Sequence, residues 1–198
     1  MLRHLGAHKD CSEICKIKAA VSISGAFELA ATAIDLKTET FGFYDNYMLT
    51  RIRQHFDEKK FSCQLKGLDY HDEKAKQKTS CFDFDASVRS KFFGYNGGHE
   101  LYRAISCDAF IPEIKTPVFA MTSRDDPITT YKNVPVGDIR RNPNFLLAVL
   151  PMGGHVDFFT QKINPENGET NHEQIISNVA MAYLEDVEQF YHTKMGEV

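Results

Sequence analysis

The sequence has 198 residues, with 23 Lys and Arg against 27 Asp and Glu, a formal charge of −4, and it is 42% hydrophobic and 25% charged. That composition excludes a disordered or fibrous chain and gives no electrostatic case for nucleic acid or an anionic membrane surface as partner. No run approaches the roughly 18 apolar residues of a spanning helix, the start MLRHLGAHKD lacks a secretory apolar stretch, and five cysteines without repeated spacing favour a reduced, intracellular chain.

The pattern opens with a short helix from Met1 to about Lys9. Within and after it, His4, His8, Cys11 and Cys15 are donors of the type zinc prefers. On one continuous helix they span roughly 16 Å and cannot converge on a tetrahedral ion. A helix end with its exit loop is therefore expected, with no metal and no cofactor. Three near-continuously apolar runs follow: Lys18 to Ser24, Thr116 to Thr122 and Asn144 to Leu150. Such runs suit strands covered on both faces of a parallel sheet, and their alternation with helices predicts an α/β fold.

Between the first two strands lie about 90 residues, with helices expected near Tyr44 to Lys59 and His99 to Ala109 and a solvated charged stretch at His71 to Lys78. Residues 41–110 hold 14 of the 23 aromatic residues. They form either a second patch of core or an inserted cap lining an apolar cleft.

Two phrases end strands and carry polar groups. Ser-Arg-Asp-Asp-Pro, 123–127, follows the second strand, where parallel sheets place working side chains; Asp126 before Pro127 is equally a good N-cap for a helix from Ile128. Pro-Met-Gly-Gly-His-Val-Asp, 151–157, follows the third strand, and its glycines let the backbone turn sharply and present His155 at the sheet edge as a base. His99, in the second Gly-Gly-His, follows no strand and reads as structural. No Gly-x-Ser-x-Gly is present, and Ser24, at the end of the first strand, lacks the preceding glycine of a nucleophile elbow. The cysteines lack an activating setting. The last 27 residues form a helix, with Ile176, Val179, Tyr183, Val187 and Phe190 on its apolar side and Asn171 with Gln174 as a capping box.

AAVSISGAFEL, FDFDASVRSKFFGY, LYRAISCDAFIPEIKTPVFAMTSRDDPITT and NPNFLLAVLPMGGHVDF together resemble the fourth AB-hydrolase family of the α/β-hydrolase superfamily, which includes acylglycerol lipases and medium-chain esterases. The resemblance covers nearly the whole chain. It implies the last three parallel strands and C-terminal helix of one hydrolase domain over residues 1–198, with a helical lid at about 28–112 between what would be strands six and seven. It implies Asp126 as triad acid and His155 as triad base, in the family's order, although Thr130 stands where the related pattern has a proline and Asp157 where relatives often have a small residue. The family's nucleophile phrase, Gly-x-Ser-Leu-Gly, precedes a helix much like MLRHLG. The resemblance thus implies a chain lacking its serine and part of its oxyanion hole, inactive alone. A small sheet with its first edge unpaired and apolar faces left uncovered is separately expected to make the chain poorly soluble or partly molten. A lipid or acyl-ester substrate is implied, and any membrane association is expected through the missing N-terminal part. The alternative is a non-catalytic module that binds an acyl ligand or a partner chain.

Overall fold

A computed structural model describes residues 1–8, 16–64, 77–164, 166 and 168–196. Helix α1 (Leu2–Ala7) precedes strand β1 (Ala20–Ile23); strand β2 (Val118–Ser123), helix α7 (Val136–Arg141) and strand β3 (Phe145–Leu150) complete a parallel three-stranded sheet in the order β1-β2-β3. The register pairs Ala20 with Val118 and Val118 with Phe145, so all three apolar runs are strands of one sheet. Its two faces are both covered. Val118 and Ala120 pack with Leu5, Phe27, Ile111, Ile114, Ile139 and Phe145 on one side. Phe119 and Met121 pack on the other with Phe158 and the partly buried Ile176, Val179 and Tyr183.

Burial differs among the strands in a way their composition hides. Every residue of β2 is buried, whereas β3 is an edge strand whose Leu146 is 57% exposed. An unbroken apolar run therefore marks all three strands, but only the central one is fully enclosed.

The chain divides into two compact units, Met1–Phe27 with Cys107–Val198, and Glu28–Ser106. In the first, α1 lies against the 3₁₀ segment Asp108–Glu113 through Gly6. A Cβ at Gly6 would sit 2.3 Å from the Phe110 carbonyl oxygen, so the close approach requires glycine.

The second unit is helical: α2 (Leu29–Thr38), α3 (Phe43–Gln64), α4 (Cys81–Phe84), a π-helical turn at Asp85–Arg89, α5 (Ser90–Phe92) and α6 (Gly98–Ile105). Glu28 caps α2 by accepting from the Ala30 and Ala31 amides. Leu36, Leu49, Phe84, Val88, Leu101 and Tyr102 are among its buried residues. Asp85, also buried, accepts from the Tyr102 hydroxyl at 2.9 Å and pairs with Arg89 at 3.2 Å. The stretch of 65–76, which contains most of the expected charged segment, lies outside the described residues.

Two expectations are corrected, the first at the C-terminal end. Asn171 and Gln174 do not form a capping box: they belong to strand β5 (Thr170–Gln174), which pairs antiparallel with β4 (Phe159–Ile163), and helix α8 begins only at Ile176. The hairpin's polar residues hide it from an apolar-pattern reading. A signal was nevertheless present in the Asn167-Gly168 dipeptide, a favoured hairpin turn, and Gly168 has φ +69. The second correction concerns Asp126, which caps a turn but starts no α-helix; the chain passes instead into a 3₁₀ turn, Tyr131–Asn133. Pro135 favours extended backbone at the preceding residue, and Val134 has φ −79 and ψ 122.

Candidate active site

The loops that leave β2 and β3 carry Asp126 and His155 to the same place. His155 Nδ1 lies 2.9 Å from Asp126 Oδ2, with the Asp126 side chain fully buried and the His155 side chain 33% exposed. Parallel alignment brings the C-terminal ends of β2 and β3 together, so residues 29 apart in sequence become neighbours.

Asp126 is held on both carboxylate oxygens. Oδ1 accepts from the Ile128 and Thr129 amides at 2.8 and 2.9 Å, while Oδ2 accepts from the Thr129 hydroxyl at 2.7 Å and faces His155. Burial opposes the negative charge, but the bonds from His155, Thr129 and the two amides outweigh it and hold the carboxyl below the usual carboxylate range. Capping and orienting the imidazole are thus done by different oxygens of one side chain.

His155 is positioned through its backbone. Gly153 has φ +154 and Gly154 φ +52, both in the region that favours glycine, and a Cβ at Gly153 would meet the Phe158 ring at 2.5 Å. The Gly154 amide donates to Asp125 Oδ1 at 3.0 Å, and its carbonyl accepts from the Ser123 hydroxyl at 2.6 Å. The Ser24 hydroxyl donates to the His155 carbonyl. The sequence presents Ser24 as a candidate nucleophile and Asp125 as one of the two acids of Ser-Arg-Asp-Asp-Pro. Their contacts are to the loop backbone, and such contacts depend on tertiary approach that no local pattern announces.

An ionised Asp126 facing Nδ1 fixes the proton on that nitrogen and leaves Nε2 as the basic one, an arrangement suited to accepting and returning a proton. Among the described residues, the ring's hydrogen-bonding neighbours, Asp126 and Thr129, both lie at Nδ1. Asp157 is exposed and donates its amide to the Gly153 carbonyl. His99 lies in the second unit, exposed, at the start of α6, with its ring 4.8 Å from that of Phe82.

Of the remaining candidates, those among the described residues are not gathered into a site. His4 and His8 approach each other, ring centroids 4.4 Å apart, while Cys11 and Cys15 lie outside the described residues. Among the described residues no group of three or more His, Cys, Asp or Glu is gathered as for a metal ion. Cys81 and Cys107 are buried and unpaired with each other, and burial pushes both thiols up, Cys107 to about 11. Among the described residues, no helix is long and apolar enough to cross a membrane.

No protein-family model matches the chain, and no solved structure matches it. Curated relatives do. A monoacylglycerol lipase of Saccharomyces cerevisiae is 30% identical over 168 residues, 82% of this chain and 36% of the relative. Embryogenesis-associated protein EMB8 of Picea glauca is 29% identical over 161 residues, 79% of this chain and 34% of the relative. Phospholipase ABHD3 of Bos taurus is 29% identical over 143 residues, 72% of this chain and 34% of the relative. The chain spans about a third of the length of these relatives. The parallel sheet, the C-terminal helix and these similarities agree, and the chain is related to the α/β-hydrolase superfamily over about four fifths of its length.

Proposed function

We propose that the chain forms part of a lipid carboxylic-ester hydrolase in which His155 is the general base and Asp126 the residue that orients it. The 2.9 Å contact between His155 Nδ1 and the buried, ionised Asp126 carries this reading. Relatives named monoacylglycerol lipase and phospholipase support a lipid ester as substrate class.

In this mechanism His155 Nε2 takes the proton of a serine hydroxyl as the serine attacks the ester carbonyl. Asp126 stabilises the imidazolium that forms, and Nε2 returns the proton to the leaving alcohol. Water then repeats the cycle on the acyl-enzyme. The 198 residues contain no Gly-x-Ser-x-Gly, and the Ser24 hydroxyl is engaged by the His155 backbone carbonyl. The reacting serine is therefore proposed to lie outside these residues, and the segment at about 28–112, which contains the unit Glu28–Ser106, is proposed to serve as a lid.

Fluorophosphonate labelling tests the reading. A form of the protein extended by its in-frame upstream sequence should be labelled, and His155→Ala should abolish labelling at matched folding. Asp126→Asn should lower ester turnover by about 10⁴-fold through the wrong imidazole tautomer. Labelling of the isolated 198-residue chain, lost in Ser24→Ala, would overturn the external serine. Saturable acyl-ligand binding by an extended form that is never labelled would instead favour a binding module without turnover.

A further inference from the structure

The second unit contains a cleft of about 530 Å³ between α3 and the helical run through α4 and α5. Its construction follows from spacing. Arg51, His55 and Lys59 recur every four residues on α3 and form a basic row along one wall, with Ile52 and Phe56 beside them in the lining. The opposite wall presents Phe84, Val88 and Phe92, again at intervals of four, across the π-helical turn. Turns of this kind are frequent at functional sites.

Among the described residues the charges of this row are not all balanced. Arg89 is balanced by Asp85 at 3.2 Å, and His55 stands 4.0 Å from Glu58. Arg51 instead lies over the Tyr47 ring, 5.4 Å from its centroid, which leaves its charge intact. Among the described residues no carboxylate pairs with Arg51 or Lys59. An aromatic interior beside a positive row suits a molecule with an anionic head and an apolar body.

At about 530 Å³ the cleft falls within the roughly 300–1,000 Å³ of small-molecule ligand pockets. A single acyl chain with a carboxylate is a ligand of that class. We propose that this cleft is a binding site for a fatty-acid anion, its carboxylate at the Arg51–Lys59 row and its chain against Phe56, Phe84 and Phe92. The site lies wholly within the second unit and is independent of the hydrolase reading, because it requires neither Asp126 nor His155.

Calorimetric titration of the purified 198-residue chain with dodecanoate, below its micelle concentration, tests the proposal. One saturable site is expected, with dodecan-1-ol and dodecyltrimethylammonium binding at least about tenfold more weakly. The exposed pair Arg51→Glu with Lys59→Glu should weaken dodecanoate by about tenfold or more at an unchanged far-UV spectrum. Should that double variant misfold, Arg51→Gln with Lys59→Gln gives the same comparison. His155→Ala should bind dodecanoate as the parent does. Equal binding of the alcohol and the acid, unchanged affinity in the folded charge variants, or no saturable binding would each overturn the proposal.

Discussion

At Asp126 one carboxylate oxygen closes a turn onto the Ile128 and Thr129 amides, while the other faces His155 and the Thr129 hydroxyl. Because these bonds hold its folded pKa below the ordinary value of 3.8, the ionised carboxylate stabilises the fold. That contribution is fully present above about pH 3.8 and is lost as pH falls through the depressed value. Asp126→Asn should therefore cost about 1–3 kcal/mol at pH 7, with the deficit shrinking in urea titrations run progressively below pH 3.8. Asp85 has the opposite sign. Burial raises its pKa against the help of Arg89 and Tyr102, so ionisation above the ordinary value works against folding. Asp85→Asn, which keeps an acceptor for Tyr102, should change stability at pH 7 by less than about 1 kcal/mol, and the same titrations distinguish the two carboxylates. Asp125 acts on the His155 loop through the Gly154 amide. In the extended, labelled protein, Asp125→Ala should slow fluorophosphonate reaction about tenfold through looser positioning, at a melting temperature near that of the parent.

The elements were legible where side-chain burial and local chemistry agree. Val118–Ser123 and Phe145–Leu150 are apolar because a sheet encloses or half-encloses them, and the turn residues after them, Asp126-Pro127 and Gly153-Gly154, mark where polar groups emerge. The pairing of Asp126 with His155 was implied by order in the chain, but its hydrogen bond depends on the β2–β3 register, which composition does not specify. The β4–β5 hairpin was hidden because Thr160, Gln161, His172 and Glu173 give no alternating apolar face. Nor did Gly6 advertise its role, since a glycine in a short helix looks only like a weak position until the Phe110 carbonyl is seen against it. Gly6→Ala should force α1 away from the 3₁₀ segment and destabilise the first unit by about 1–3 kcal/mol in denaturant titrations. Gly137→Ala is the control: its Cβ would meet nothing closer than the Arg141 guanidinium at 3.6 Å. In α7 that change should be neutral or stabilising by up to about 1 kcal/mol.

On the scale of the whole molecule, the sheet ends at β1, which pairs only with β2 among the described residues. The Ala20 and Ser24 amides donate to the Pro117 and Met121 carbonyls. In a parallel strand the alternate amides, Val21 and Ile23, then point to the opposite edge, which is unpaired among the described residues. Such an edge is a template for another chain, and the first unit also exposes Leu146, Phe159, Ile163 and Phe190. Both features favour association, but only the first is directional and open to a backbone lesion. The 198-residue chain should therefore self-associate with rising concentration in sedimentation velocity. Val21→Pro should reduce that association, because proline removes the outward donor and is tolerated at an edge. Leu146→Lys, which changes only side-chain apolarity at the far strand, should reduce it less. If the parent sediments as a monomer across the micromolar range, or if Val21→Pro at intact far-UV signal associates as the parent does, the open edge is not what the molecule uses to self-associate.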